Sequence, residues 1–137
     1  MNKVFIIAEA GSNWKTGTYE QDVEMAKKLI DIASEAKADA VKFQTYRSNT
    51  VYVPNAGESN YLTKSGIKQS ITKIFDDLSM PYKMIPVLSN YCENKNIQFM
   101  STPFSVDDAK AIDPFVRMHK IASYEITHSK LIEVVAK

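Results

Sequence analysis

The stretch ADAVKFQTY, residues 38–46, constrains the fold more than any other part of the sequence. Its alanines, valine and aromatic residues are typical of a buried β-strand. Lys42 and Gln44 nevertheless lie inside it, two positions apart. Since successive side chains of a strand point to opposite faces, Lys42 and Gln44 point to the same face. The stretch therefore predicts a buried strand that presents an ammonium and an amide group to one side of a sheet.

The other segments alternate between strand and helix patterns. Strand patterns, including the one quoted above, occupy residues 4–10, 38–46, 97–104 and 117–125. Apolar residues at helical spacing predict helices over 19–37, 65–79, 81–96, 105–115 with Ser105 as N-cap, and 129–137. Pro86 is expected to kink the third helix or delay its start, and residues 47–64 are expected to form a long loop. Strands separated by helices imply a parallel sheet.

Composition excludes several classes of protein. The chain has 137 residues, 45% of them hydrophobic, and a net charge of +1. This balance argues against nucleic acid or an anionic membrane surface as a partner, because both require clustered basic charge. No apolar run approaches the roughly 18 residues of a membrane span. The single cysteine, Cys92, cannot form an internal disulfide, which favours a cytoplasmic location.

Polar residues occur at the end of each predicted strand. They are Glu9 in the first, Lys42, Gln44 and Thr45 in the second, Ser101 and Thr102 in the third, and Lys120, Ser123 and Glu125 in the fourth. Ligands of parallel α/β folds bind beyond the carboxyl ends of the strands. We therefore expect these side chains to share one site.

Lysines and hydroxyls together can hold a phosphate or a carboxylate, and glutamates can hold sugar hydroxyls or move protons. A lysine in such a site is also a candidate Schiff-base nucleophile. Structural alternatives exist: Lys42 forms an ion pair with Glu9 or Glu125 and binds no ligand, or Ser101 and Thr102 cap the next helix.

Four other side chains have more modest interpretations. His119 is expected to pack against a helix and His128 to be a helix cap or surface residue. Cys92 is expected to fill the core. Trp14 follows the first strand and is either a lid or a packing anchor.

The motifs IIAEAGSN, ADAVKFQTY, FMSTPF and HKIASYEITHSKLIEVVAK, in this order and spacing, resemble the N-terminal half of the N-acetylneuraminate (sialic acid) synthase family. The resemblance runs from Val4 to Lys137. It implies a TIM-type (β/α)8 barrel, of which residues 1–137 supply about the first four β/α units. The C-terminal half-barrel and the antifreeze-like domain of the family are then absent from this chain.

The resemblance also implies an activity. The family condenses phosphoenolpyruvate with an N-acetylated amino sugar such as N-acetylmannosamine, giving a nine-carbon 2-keto sugar acid and phosphate. A divalent metal, Mn or Mg, is expected for the full-length enzyme, with ligands outside this chain. The full-length protein is expected to be a homodimer, and the present chain alone to be inactive.

The same resemblance implies roles for seven residues. Phosphoenolpyruvate would be bound by two lysines and two hydroxyls, Lys42, Lys120, Thr102 and Ser123. Glu9 would lie near the reacting carbons. Gln44 and Glu125 would contact the amino sugar, and Glu125 would also assist proton transfer.

Two departures from the family leave the acceptor sugar open. Trp14 stands where the family has histidine. Tyr124 stands where sialic acid members have glycine, and an aromatic residue at this position resembles the pseudaminic acid synthases. Two other functions also remain open: a Schiff-base pyruvate aldolase that uses Lys42 or Lys120, and a non-catalytic half-barrel that binds sugar phosphates.

Overall fold

The computed structural model describes residues 4–52, 57 and 70–137. In this part of the chain a three-stranded parallel sheet has helices packed against one face. The strands are β1 (Ile7–Gly11), β2 (Ala40–Thr45) and β3 (Gln98–Pro103). The helices are α1 (Tyr19–Glu35), α2 (Ser48–Val51), α3 (Ile71–Asp77), α4 (Met84–Asn94), α5 (Val106–Ile112) and α6 (Ser129–Val135). Short 3-10 helices span Asp113–Phe115 and Ser123–Glu125.

Strand β2 is central and pairs in parallel with β1 on one side and β3 on the other. Its Lys42 lies opposite Glu9 of β1, and its Gln44 lies opposite Thr102 of β3. The register with β1 shifts after Glu9, and Gly11 takes a φ of +56° there. A side chain at Gly11 would be strained in this conformation, so glycine permits the bulge that ends β1.

Helix α1 begins at a capping box. The Thr18 side chain accepts a hydrogen bond from the Gln21 backbone N–H, and the Gln21 side chain accepts one from the Thr18 N–H. This arrangement satisfies backbone donors that the first turn of a helix leaves unpaired. One side of α1 faces the core. Its buried residues, at helical spacing, are Asp22, Val23, Ala26, Ile30 and Ala33.

The core lies between the sheet and helices α1 and α4. Phe43 of β2 and Phe99 of β3 stack with ring centroids 5.9 Å apart. Cys92 is fully buried there, as expected, and burial raises the pKa of its thiol to about 12. Trp14 is only 1% exposed and belongs to the same core, so it is the packing anchor and not the lid.

Most predicted elements agree with the structure. The first three predicted strands are confirmed with shorter bounds, and Ser105 caps α5 as predicted. The predicted helix over 81–96 starts at Met84, and Pro86 lies in its first turn, where a missing N–H costs little. The expected loop over 47–64 contains the short helix α2. Residues 53–56 and 58–69, which include most of that loop and the start of the helix predicted over 65–79, lie outside the described residues.

The fourth predicted strand is wrong. Residues 119–122 are irregular, and Ser123–Glu125 form a 3-10 helix. A parallel strand buried on both faces needs a nearly continuous apolar run. Residues 117–125 instead contain basic and acidic side chains at Arg117, His119, Lys120 and Glu125, and most of the segment is exposed or half-buried.

No helix in the described ranges is long and apolar enough to cross a membrane.

Asp22 anchors the segment between β1 and α1. Its carboxylate pairs with Lys15 Nζ at 2.7 Å and accepts hydrogen bonds from the N–H groups of Thr16 (2.7 Å) and Gly17 (2.9 Å). Burial by itself raises the pKa of Asp22, but the Lys15 ammonium and the two N–H groups outweigh it and lower that pKa below 3.8. The ionised carboxylate is therefore the form that the fold stabilises.

We expect the Asp22→Asn variant to be less stable than the parent chain at neutral pH. A lowered carboxyl pKa contributes stability above the unfolded-state pKa, and this contribution disappears as pH falls through the folded-state pKa. The difference in unfolding midpoint between the two chains should therefore shrink in acid, below about pH 4. Urea titrations across pH would measure it. Asp77→Asn, which changes an exposed carboxylate, is the control, and a difference that stays constant with pH would contradict the assignment.

Ile30 and Ile32 of α1 form a matched pair for testing the core. Ile30 is fully buried, whereas Ile32 is 62% exposed. In the 137-residue chain we expect Ile30→Ala to lower the free energy of unfolding by about 2–5 kcal/mol, because it leaves a cavity. Ile32→Ala should change it by less than about 0.5 kcal/mol. Urea denaturation followed by circular dichroism would compare them, and equal losses would show that α1 packs differently.

Candidate functional site

The sheet face opposite α1 and α4 carries the polar side chains of the strands; we call it the inner face. On β2 the odd positions Val41 and Phe43 enter the helix-side core, so Lys42 and Gln44 point to the inner face. The register brings Glu9 of β1 beside Lys42 and Thr102 of β3 beside Gln44. Four of the seven predicted site residues therefore lie on one face, at neighbouring positions of three strands.

Lys42 is the centre of this group. Its Nζ forms an ion pair with Glu9 Oε2 and donates a hydrogen bond to Thr102 Oγ1 at 3.4 Å. The Lys42 side chain is 12% exposed and that of Glu9 is 51% exposed. An ammonium group has three donors, and these two contacts use two of them. The third can bind an anionic ligand without breaking either contact.

The ion pair with Glu9 is the one that the structural alternative predicts. Its contribution to stability is small, because a pair with one largely solvated partner is worth about 0–1 kcal/mol. The fold thus gains little from placing Lys42 at the centre of the sheet. What the pair does is fix an ammonium, a carboxylate and a hydroxyl within reach of one another.

The hydroxyls of β3 divide between the two faces. Ser101 Oγ and Thr45 Oγ1 lie 2.8 Å apart and are both buried, on the face that packs against the helices. Each satisfies the other, so this pair has a structural role. Thr102 faces Lys42 instead. Neither Ser101 nor Thr102 caps the following helix, since Ser105 does so.

The remaining three predicted residues lie between α5 and α6, on a segment that is not part of the sheet. Lys120 Nζ donates to the carbonyl of Ile121 at 2.6 Å, and Ser123 is exposed. Glu125 Oε2 lies 2.9 Å from Nδ1 of His128, and its side chain is 15% exposed. The structure therefore groups these residues with each other along the chain and does not place them in contact with Lys42.

An aromatic row connects the two groups, and most of it was not predicted from the sequence. The Phe104 ring contacts Tyr124 at 5.8 Å and Tyr46 at 5.6 Å between centroids. The Tyr46 hydroxyl lies 3.0 Å from Ser12 Oγ, just after β1. The alternation that places residues 42 and 44 on the inner face also reaches 46, and this was the signal available in the sequence.

The two histidines take local roles. His119 Nε2 lies 3.1 Å from Asp113 Oδ1, on the 3-10 helix, in agreement with its expected packing against a helix. His128 occupies the N-cap position of α6 but makes no side-chain cap hydrogen bond. Within 4–52, 57 and 70–137, no three His, Cys, Asp or Glu side chains form a group that could hold a metal ion.

The chain is similar to several known proteins. The spore coat polysaccharide biosynthesis protein SpsE of Bacillus subtilis is 39% identical over 98% of this chain and 34% of its own length. Pseudaminic acid synthase of Campylobacter jejuni is 31% identical over 98% of this chain and 38% of its own length. The crystal structure of an N-acetylneuraminic acid synthetase from Leptospira borgpetersenii matches with a TM-score of 0.77 and 34% identity, over 98% of this chain and 41% of that one.

The chain thus spans little more than a third of the relatives it matches. Its strands and helices correspond to part of the TIM barrel of those synthases, so the expected fold class is confirmed. The NeuB family model matches residues 29–137. Because that match covers well over half of this chain, the chain belongs to the NeuB family.

Proposed function

We propose that the protein to which this chain contributes condenses phosphoenolpyruvate with an N-acetylated amino sugar. The products are a nine-carbon 2-keto sugar acid, of the sialic acid type, and phosphate. Membership in a family whose named relatives include sugar-acid synthases supports the reaction class. The single observation that carries the proposal is the group of Lys42, Glu9 and Thr102 on the inner face.

Lys42 and Thr102 suit the anionic substrate. Phosphoenolpyruvate carries a phosphate and a carboxylate, and each prefers an ammonium combined with neutral hydrogen-bond donors. In the part of the chain that the structure describes, two of the three Lys42 donors have partners, which leaves the third for a ligand. The Thr102 hydroxyl can donate to a ligand once one is present. Their place near the carboxyl end of parallel strands is where ligands of this fold class bind.

Glu9 and Gln44 flank that anion site on either side. Glu9 is the more solvent-accessible partner of its ion pair, so its carboxylate can reach a second ligand while it still orients Lys42. Gln44 offers both an N–H donor and a carbonyl acceptor on the same face, which matches the mixed donors and acceptors of an amino sugar. This arrangement would hold two substrates side by side in attack geometry.

The second group, Lys120, Ser123 and Glu125, is proposed to complete the site. Lys120 and Ser123 would add a second cation and hydroxyl for the phosphate or carboxylate, and Glu125 would contact the sugar. Among the described residues, the Lys120 ammonium donates to one neighbouring backbone carbonyl, so it gives up a single local hydrogen bond when it turns toward an anion. A divalent metal, Mn or Mg, remains a proposal for the whole protein, and the substrate contacts assigned to these side chains do not depend on one.

The aldolase alternative makes a different demand on the lysines. Imine formation needs a neutral amine next to a substrate carbonyl. Lys42 is instead held in an ion pair and a hydrogen bond, both of which suit a charged ammonium. The geometry therefore favours anion binding over imine chemistry at this position.

Two further expectations for the whole protein, a homodimer and a cytoplasmic location, stay predictions.

Replacement of Lys42 tests the anion site. In the longest form of the protein that its gene encodes, Lys42→Met should raise the KM for phosphoenolpyruvate by roughly 10- to 100-fold, because one charge-assisted contact is lost. Lys27→Met is the matched control, since Lys27 pairs with Glu24 on the outer surface of α1. Steady-state kinetics with both variants would decide it. Equal KM values for the two variants would remove Lys42 from the site.

Phosphate release tests the reaction itself. The same form of the protein, supplied with Mn, should release phosphate from phosphoenolpyruvate only when an acceptor such as N-acetylmannosamine, its 6-phosphate or a diacetamido sugar is added. Borohydride with pyruvate should trap no covalent adduct, because the proposed reaction forms no imine. A trapped lysine adduct would establish the aldolase instead. Binding of phosphoenolpyruvate without turnover of any acceptor would favour the non-catalytic alternative.

A further inference from the structure

Aromatic side chains lie one step beyond the Lys42 group along the same face. Phe104 N–H donates to the carbonyl of Thr45 at 3.2 Å, so the pairing of β2 and β3 continues past the last strand residues. Tyr46 and Phe104 therefore follow Gln44 and Thr102 on the inner face. Two residues of a strand advance about 7 Å, which places these rings directly beyond the proposed anion site.

Tyr46 is held in place from both sides. Its hydroxyl lies 3.0 Å from Ser12 Oγ, and its carbonyl accepts a hydrogen bond from Arg47 Nη1 at 2.6 Å. The same Arg47 nitrogen donates to the carbonyl of Met80 at 2.9 Å, and the guanidinium lies 3.9 Å from the ring centroid of Tyr82. These contacts fix the chain immediately after β2, so the Tyr46 ring is a rigid part of the rim of the inner face.

Three tyrosines lie in the same region of this rim. Tyr46 and Tyr52 both contact the Phe75 ring, with centroids 5.0 Å and 4.7 Å away. Burial raises the pKa of Tyr46, the Ser12 hydroxyl acts in the opposite direction, and the phenols of Tyr124 and Tyr52 add to the rise. The contacts of Phe75 with Tyr46 and Tyr52, and of Phe104 with Tyr46 and Tyr124, place the three tyrosines in one region. Tyr46 is only 2% exposed, so it supports this region from within.

Tyr124 differs from the other members because it is exposed. One side of its ring packs on Phe104, which is 5% exposed, while Tyr124 itself remains 66% exposed. An aromatic ring supported by a buried ring and open on its other side offers a flat apolar surface with a polar edge. It also lies between Ser123 and Glu125, two of the proposed substrate contacts.

A sugar that carries acetamido groups matches this surface. Its ring C–H groups and acetamido methyls are apolar, whereas its hydroxyls and amides need hydrogen-bond partners. Tyr124 supplies the flat surface, and Ser123 and Glu125, its neighbours in the chain, supply polar groups beside it. Ligand sites in proteins commonly combine aromatic walls with a few such polar groups.

We propose that Tyr124, supported by the buried ring of Phe104, forms the surface that binds the acetamido-bearing part of the acceptor sugar, and that Tyr124 is a determinant of acceptor choice. This inference rests on the proposed synthase function. It adds a substrate-contacting role for Tyr124, and it assigns the anion to the Lys42 group and the acceptor to the aromatic rings of the same face.

The test compares three variants in the longest form that the gene encodes. Tyr124→Ala removes the ring, Tyr124→Phe keeps the ring without the hydroxyl, and Ile126→Ala removes another exposed apolar side chain from the same segment, 69% exposed. Tyr124→Ala should raise the KM for the acceptor sugar roughly tenfold and leave the KM for phosphoenolpyruvate within about twofold. Tyr124→Phe and Ile126→Ala should stay within about threefold of the parent for both substrates.

A binding measurement separates failure of this inference from failure of the proposed function. The protein is labelled with 3-fluorotyrosine, its Tyr124 resonance is assigned with Tyr124→Phe, and N-acetylmannosamine or a diacetamido sugar is titrated. A shift of that resonance supports the inference even if the parent protein turns over no acceptor. Absence of turnover would contradict only the proposed synthase function. Turnover in which Tyr124→Ala leaves the acceptor KM unchanged, or a resonance that no sugar shifts, overturns the inference.

Discussion

The alternation of side chains along β2 is the constraint on which the rest of the structure depends. The strand has a neighbour on each side, so its backbone is fully paired and its side chains have only two directions available. Odd positions enter the core with α1 and α4, and even positions reach the inner face. A shift of one residue would bury Lys42 among apolar side chains and expose Phe43, which is why the register is strongly specified. One strand thereby determines both the core and the candidate site.

This constraint explains why much of the fold was predictable. Alternation within residues 38–46 can be read directly from the sequence, and so can the apolar stripe of α1 and the Ser105 cap, because each depends on residues close together in the chain. The placement of Lys42 and Gln44 on one face followed from spacing alone. Their neighbours on that face did not, since contact with Glu9 and Thr102 depends on the register of separate strands. The sequence predicted only that the carboxyl ends of the strands share one site, and that Glu9 or Glu125 could pair with Lys42.

The segment after β3 shows where local patterns stop being informative. Residues 117–125 contain apolar side chains, yet they leave the sheet, and Ser123–Glu125 form a turn of 3-10 helix. A strand depends on partners distant in sequence, and the charged side chains of this segment do not favour burial on both faces. The role of Tyr46 was missed for a related reason. Tyr46 ends the stretch predicted as a strand, and the hydrogen bond from Phe104 to Thr45 shows that the pairing continues that far. Its contacts with Phe104 and Phe75 come from separate segments, which the spacing of residues does not reveal.

The inner face has two levels: the Lys42 level, with Glu9 and Thr102, and the aromatic level, with Tyr46, Phe104 and Tyr124. Different interactions hold the two levels in place, and this difference affects what each can bind. An ion pair and a hydrogen bond hold Lys42, and Glu9 remains half exposed, so the ammonium can accept a ligand while both contacts persist. Ring contacts and backbone hydrogen bonds hold the aromatic level, which does not need to rearrange. A rigid surface selects by shape, whereas adjustable charges bind by affinity for an anion. Under the proposed function, discrimination between acceptor sugars would belong with the rings of this face, and capture of the phosphorylated substrate would belong with Lys42.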